Sequence, residues 1–411
     1  MTEPDLDILE TRSQDARERD HFLRLPKQIA AAKLSSPAYV ESLRDVDPHK
    51  IDSRAALAKL PVLRKSELLE RQRQAPPFAG VNTVEIATLA RIFHSPGPMY
   101  APQADRPDFA RMSRAMRAAG FRKGALVHVS FAYHFTPGAW MMDSGARALG
   151  CPIFPAGTGN TELQARTIAE LRPAAYAGTP SFLKIILDEG AKLGLDLSSV
   201  RHALVSGEAF PPALQQAVKV YGVDAYQCYA TADLGLIAYE TPAREGLVLD
   251  EEIIVEILRP GTGDPVPDGE VGEVVVTNLS SDYPMIRFAT GDMSAILAGP
   301  SPCGRTNRRI KGWMGRADQT TKVKGMFVHP QQIAEVVKRH GEIGRARLVV
   351  THADGLDVMT LKCEAVGGPA LADAIRVSIQ AICKLRGEIE LVAPGTLPND
   401  GKVIEDARKY D

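Results

Sequence analysis

Between residues 88 and 233, short apolar runs alternate with amphipathic stretches of helical length, and this alternation constrains the fold more than any other feature. The runs are 125–133 (ALVHVSFAY), 151–154, 174–178, 202–206 and 224–229. Helical patterns fill 139–149, 162–171, 181–193 and 212–221, with 109–119 ahead of the first. Parallel neighbours need a crossover connection, usually a helix, and several strand–helix units in succession imply a parallel sheet buried on both faces. The chain is therefore predicted to be α/β, with a large N-terminal domain of mixed or parallel sheet flanked by helices.

The flanking regions have different textures. Ahead of this core, 21–25, 27–34, 38–43 and 66–73 carry apolar residues at helical spacing, and Pro76-Pro77 ends that style. After Asp233 the helices stop. Strand-like runs at 251–258, 273–278 and 292–298 are separated by Pro260-Gly-Thr-Gly-Asp-Pro265 and Pro267-Asp-Gly-Glu270, which predicts a β-rich subdomain. From 319 onward the pattern reads strand 321–324, helix 330–339, strands 346–352 and 357–365, helix 369–385 and strand 388–392. That is a small α+β unit, so the expected domains are 1–318 and 319–411, joined at Gly315-Arg-Ala-Asp318.

Composition removes several functions. Lys and Arg total 49 against 50 acidic residues, a net charge of −1, which is no footprint for nucleic acid. No apolar run approaches the roughly eighteen residues that span a bilayer, and the acidic N-terminus lacks a signal-peptide core. Five cysteines without C-x-x-C spacing read as reduced thiols. The expectation is a cytoplasmic protein with neither a nucleic-acid nor a membrane partner. The nine histidines show no metal-ligand spacing, and G-x-S-x-G, G-x-x-x-x-G-K-[ST] and G-x-G-x-x-G are all missing from the sequence.

Taken singly, the remaining candidates each have two readings. Ser206-Gly207-Glu208 closes a strand before a helix opened by Pro211-Pro212, so a planar ligand could approach its backbone at the carboxyl end of the sheet. An ordinary βα turn explains it as well. Tyr229 could stack on a base and Asp233 could hold Mg²⁺ through carboxylate oxygen, or the pair could be a strand end with a helix-capping acid. Asp292 after Gly291 fits a strand-flanking turn, and Lys402 in Pro398-Asn-Asp-Gly-Lys402 fits a solvated loop.

Order and spacing add what the single sites lack. Leu204-Val-Ser-Gly-Glu208, Tyr229-Ala-Thr-Ala-Asp233, Met285-Ile-Arg-Phe-Ala-Thr-Gly-Asp292 and Gly315-Arg-Ala-Asp318 resemble the ordered motifs of the adenylate-forming superfamily. Pro155-Ala-Gly-Thr-Gly-Asn-Thr-Glu162 with Gly178-Thr-Pro-Ser181, and Cys303-Gly-Arg-Thr306 with Arg309-Ile310, are similar to its phenylacetate–CoA ligase-like branch. The resemblance spans essentially the whole chain. It implies an ATP-dependent carboxylate–CoA ligase in which MgATP activates a small carboxylic acid to an acyl-adenylate and coenzyme A takes the acyl group. It also implies a small mobile C-terminal domain and is compatible with a homodimer.

Carried over by position, the resemblance gives nucleotide roles to Ser206, Gly207, Glu208, Ala209, Gln227, Tyr229, Ala230 and Thr231. Gly207 and Glu208 would line the adenine pocket and Tyr229 would stack on the ring. Asp233 stands where members have a Mg²⁺-binding glutamate, Asp292 would accept from the ribose hydroxyls, and Arg316 would fix ribose and phosphate. Asp318 is the hinge position, and Lys402 the catalytic lysine that meets carboxylate and α-phosphate. Lys324-Gly325 would be presented to the pantetheine arm in the second half-reaction. From their places near strand ends, Tyr133, His134, Phe135 and Phe210 are expected to line a pocket for an aryl acid.

The sequence also departs from the family pattern. Where members have a Ser/Thr/Gly-rich loop around the β- and γ-phosphates, this chain has Ser95-Pro-Gly-Pro-Met-Tyr-Ala-Pro102. Pro96 and Pro98 have no N–H to donate, and the loop lysine is Ala101. The phosphate-binding threonine of the second motif is Ala232, while Thr231 would point elsewhere on an extended segment. Of a cysteine cluster found in some members only Cys303 remains, near Ser301 and Thr241, so no structural zinc is expected. These changes open an alternative: a binding or transfer protein for an acyl-CoA or preformed acyl-adenylate.

Overall fold

The computed structural model describes residues 7–95, 99–317, 319, 321–323, 326–353 and 356–408. The chain divides into two compact units, one comprising Met1–Val255, Val276–Phe288 and Leu297–Trp313, the other Glu256–Val275, Ala289–Ile296 and Met314–Asp411. The second unit thus takes in two segments of the β-rich region, as well as residues beyond the expected boundary at 318.

In the first unit the predicted alternation becomes five strands: β1 (Val127–Val129), β2 (Ile153–Pro155), β3 (Ala175–Gly178), β4 (His202–Val205) and β5 (Asp224–Thr231). They pair in parallel in the order β2-β1-β3-β4-β5. The chain then returns antiparallel as β6 (Gly235–Tyr239) and β7 (Leu247–Leu249), with Arg309–Ile310 on the far side of β7. The crossover helices are α1 (Gly138–Ala148), α2 (Thr161–Leu171), α3 (Pro180–Lys192) and α4 (Pro212–Lys219).

Period-two alternation on these strands builds two cores at once. Ala175, Ala177 and Leu204 belong to one apolar cluster with Met116, Val127 and Met142. Their chain neighbours Tyr176, Ala203 and Val205 belong to another, with Ile168, Leu183 and Ile186. A sheet with apolar residues on both faces must be covered twice, which is why these strands are continuous apolar runs. α3 shows the local logic. Thr179 caps it by accepting from Phe182 N, Pro180 opens it, and Leu183, Ile186 and Leu187 form the buried stripe. Burial of a leucine such as Leu183 stabilises by roughly 2 kcal/mol, and Leu183→Ala would cost about 2–5 kcal/mol.

Several boundaries differ from expectation. The predicted strand 125–133 ends at Val129, because the chain leaves the sheet after Ser130 N bonds Ala177 O. It then coils through Phe135 at φ 60° into the start of α1. Residues 21–34 lie in one helix, Gln14–Ser35, that runs straight through Pro26, its buried face made by Arg17, His21, Leu25, Ile29 and Ala32. A strand covers Phe288–Ser294, so Asp292 sits inside a strand and not in the turn beside one. With Gly272–Asn278 and Ile253–Leu258 it forms the expected β-rich sheet, where Leu63–Arg64 pairs at the outer edge.

The second unit contains the predicted α+β pattern. β8 (Ala346–Ala353) and β9 (Leu356–Glu364) form an antiparallel pair, flanked in parallel by β10 (Glu388–Val392) on β9 and β11 (Ile404–Asp406) on β8. Helices α5 (Pro330–Arg339) and α6 (Pro369–Cys383) cover it, packing Ile333, Val336, Ile375 and Ile379 on Leu348, Val350 and Leu361. Among the described residues no helix is long and apolar enough to cross a membrane.

Candidate active site

The carboxyl ends of β3, β4 and β5 bring together the first group of expected site residues. Ser206 donates its hydroxyl to Cys228 O at 2.9 Å and its N–H to Gly178 O, tying β4 to both neighbouring strands. Gly207 follows at φ 86°, a conformation that favours glycine, and Gly207, Glu208 and Ala209 are exposed. Glu208 Oε1 accepts from Ser181 N at 2.7 Å, at the first turn of α3. Gln227 N donates to Glu240 Oε2 at 3.1 Å, and the β5–β6 ladder shifts register at Tyr229/Ala230. Tyr229, Ala230 and Thr231 are half-buried there. Thr231 Oγ1 accepts from Leu234 N at 3.2 Å, so the hydroxyl closes the β5–β6 turn.

Asp233 lies in that turn, and its side chain is fully buried. Its Oδ2 takes an ion pair from Lys65 Nζ at 3.1 Å, while its Oδ1 is buried without a hydrogen-bond partner. A buried carboxylate oxygen left open is costly unless something else takes it, and a hard cation prefers such an oxygen. Nearby, burial first and the Asp233 charge second push the Tyr283 phenol well above its ordinary range. The residues present therefore fit Mg²⁺ at one oxygen of Asp233.

Of the altered phosphate loop, Tyr100, Ala101 and Pro102 lie in the strand Tyr100–Ala104, which pairs antiparallel with Leu89–His94. Residues 96–98 lie outside the described residues. Beside the paired strands, Ser95 N donates to Met99 O at 2.8 Å and Met99 N to Ser95 Oγ at 3.3 Å. Ser95 is 5% exposed, Met99 0% and Ala101 1%, so these three positions face inward. The helix Lys65–Gln74 supports this hairpin: Gln72 donates to Tyr100 O at 2.9 Å and accepts from Tyr100 N at 2.8 Å. The same helix thus carries both the hairpin clamp and the cation beside Asp233. Sequence reading missed Lys65, because one lysine in a charge-rich helix has no local signature.

In the second unit, Asp292 and Arg316 form a β-bridge and an ion pair, Arg316 Nη1 to Asp292 Oδ1 at 2.7 Å. Met293 N donates to Gly315 O and Ala317 N to Gly291 O, which fixes the register of this crossing. Gly291 has φ 76°, and a Cβ there would stand 2.7 Å from Arg316 Nη2. Two motifs separated in sequence are thus joined, and the positive φ at Gly291 is what favours glycine at this position.

Lys402 is exposed, in a loop pinned at several points. Gln319 donates to Gly401 O at 3.0 Å and accepts from Ile404 N at 2.9 Å, and Asn399 accepts from Val271 N at 3.1 Å. Asp318, Lys324 and Gly325 lie outside the described residues.

The expected acid-pocket residues divide. Tyr133 packs edge-on against Trp140 and donates to Asp143 at 3.3 Å; burial, and then Asp143, push its phenol up. His134 and Phe135 are exposed, Phe135 at 75%. Phe210 is a correction to the pocket reading: it is 5% exposed in the core cluster with Leu183 and Val218, where its ring is packing. Elsewhere in this unit, Ser301 Oγ lies 3.0 Å from Cys303 Sγ. Burial would raise that thiol, but hydrogen bonds from Ser301, Thr241 and Arg305 outweigh it and bring it to about 7.

Residues 111–280 match the family model described as AMP-binding enzyme. A phenylacetate–coenzyme A ligase of Aromatoleum evansii is 30% identical over 88% of this chain and 84% of its own length. One of Pseudomonas putida is 31% identical over 81% and 78%. The solved structure of a 2-hydroxyisobutyryl-CoA ligase, in complex with 2-HIB-AMP and CoA in the thioesterification state, superposes with a TM-score of 0.71 at 25% identity, covering 98% of this chain and 92% of that one. The fold is that of the adenylate-forming enzymes. The chain belongs to the phenylacetate–coenzyme A ligase family, whose acid–thiol ligases use ATP to join a carboxylate to coenzyme A through an acyl-adenylate.

Proposed function

We propose that the acid this ligase activates is an aryl acid, phenylacetate- or benzoate-like. A carboxylate oxygen attacks the α-phosphorus of ATP, pyrophosphate leaves, and the thiolate sulfur of CoA then displaces AMP from the acyl carbon. Gly207 and Glu208 line the adenine pocket, Tyr229 stacks on the ring, and Ser206, Ala209, Gln227, Ala230 and Thr231 complete the nucleotide contacts. Asp292 takes the ribose hydroxyls beside Arg316. Mg²⁺, held by Asp233, would neutralise phosphate charge as ATP is attacked. Lys402 meets the two anions during adenylation, a task for which a mobile ammonium is electrostatically suited. Residues 319–411 act as the mobile domain about Asp318, and Lys324 and Gly325 serve thiolysis. Tyr133, His134 and Phe135 contact the acid, with Phe210 supporting them by packing. The protein works in the cytoplasm, and a homodimer is compatible with the family.

The observation that carries the adenylating reading is Asp233, buried, paired with Lys65 and holding one oxygen open. A protein that only bound acyl-CoA would have no use for it. Pyrophosphate release across a panel of aryl and alkyl acids tests this reading, with aryl acids expected to be fastest. One observation favours the alternative: Met99 and Ala101 are buried at positions where a phosphate loop presents polar groups. Calorimetry with ATP, AMP and CoA separates the two, since CoA binding without any ATP binding belongs to a transfer module.

A further inference from the structure

The second unit contains a cavity of about 540 Å³, within the size range of small-ligand sites. It lies among the 259–271 turn region, α5 and the 397–403 loop, and Lys402 is one of its lining residues. Val271, Ile333, Val337, Leu397 and Val403 give it an apolar wall. Most lining charges are already matched: Arg259 with Glu270, Arg345 with Glu364, and Glu335 with Arg339. Arg347, 5% exposed, is matched by Asp400 and Glu405. Among the described residues, the lining charges left without an ion pair are Lys338, Lys402 and Asp264. Their balance is one positive charge, which suits a monoanion better than a phosphate dianion. Two unpaired ammonium groups beside an apolar wall describe a receptor for an organic anion.

We propose that this cavity binds an amphipathic monocarboxylate, its body against Val271, Ile333 and Leu397 and its carboxylate near Lys338 and Lys402, and that occupancy withholds Lys402 from adenylation. Binding stands on the cavity alone, whereas inhibition rests on the adenylation role of Lys402. Because the ligand is of the substrate's own chemical class, an acid in excess slows its own activation.

The full chain, without nucleotide, is titrated calorimetrically with phenylacetate, benzoate and hexanoate, as wild type and as Lys338→Glu. Lys338 is exposed, so the reversal leaves folding intact, and Ala334→Trp, which fills space and keeps the charge, is the second variant. Both variants are expected to weaken one binding phase by about tenfold or more. In pyrophosphate-release assays, wild-type rate falls at high acid, and Lys338→Glu shifts that inhibition about tenfold upward with kcat/KM at low acid within about twofold. Equal titrations for wild type and both variants, or no heat with any of the three acids, overturn the site. A binding difference with unchanged inhibition overturns the regulatory role. A binding difference with no acyl-CoA formed from any acid overturns the ligase reading and leaves the site standing.

Discussion

Two ion pairs of the same kind sit in the two units and behave oppositely. Asp233–Lys65 joins its groups at 3.1 Å with side-chain exposures of 0% and 29%, and Asp292–Arg316 at 2.7 Å with 13% and 54%. In the second pair the Arg316 end is open to water, which screens the contact, so it contributes little to stability and Arg316 can turn toward a ligand. In the buried pair desolvation is large, one carboxylate oxygen is unmatched, and removing either partner leaves a polar group stranded. A buried acid kept at such a cost points to chemistry. An exposed pair points to a surface ready to be rearranged.

Substitutions at four positions press on this contrast. The largest effect is expected outside both pairs: Lys402→Ala should cut pyrophosphate release by about 10²–10³-fold while CoA still consumes supplied acyl-adenylate at near wild-type rate. Equal loss in both half-reactions would remove the assigned role. Asp233→Asn keeps the shape but removes the charge, and should lower adenylation by about 10²-fold, with Asp233→Glu recovering most of it; an equally inactive Glu variant would count against Mg²⁺ at this position. Lys65→Met should cost about 2–3 kcal/mol in denaturant unfolding because Asp233 is left uncompensated, whereas a change under about 0.5 kcal/mol would mean the pair is not buried in solution. Arg316→Ala should leave stability within about 1 kcal/mol and raise the KM for ATP roughly tenfold, so a stability loss matching Lys65→Met would erase the contrast.

The smallest effect concerns pH. His128 is fully buried, bonded to Gln164 at 2.9 Å, and burial lowers its pKa despite that bond. The folded state therefore resists protonation more than the unfolded chain does. Stability should be level above the unfolded value of about 6.5 and fall as pH drops below it, until the folded pKa is reached. His128→Gln should flatten that part of the stability–pH curve, and an unchanged slope would show that other groups set it.

Much of the fold was legible because parallel strands and crossover helices must be apolar in a fixed rhythm. The runs at 174–178, 202–206 and 224–229 lie close to β3, β4 and β5. The stretch 125–133 misled because Phe131 and Tyr133 are apolar for packing rather than for pairing. Asp292 looked like turn chemistry because the bridge to Arg316 is made by a partner 24 residues away. Phe210 resembled a pocket wall because an aromatic after a strand end reads alike whether it faces a ligand or the core.

By itself, then, the sequence determined the order of elements and the chemical inventory: carboxylates at 233 and 292, a late lysine, and prolines where a phosphate loop would donate. It could do so because local periodicity and side-chain chemistry are properties of neighbouring residues. Only the tertiary structure decided which charge Asp233 meets, that one of its oxygens stays open, and that Lys402 borders an apolar cavity. Desolvation and ion pairing depend on atoms brought close by folding, and Lys65 and Asp233 stand 168 residues apart in the chain.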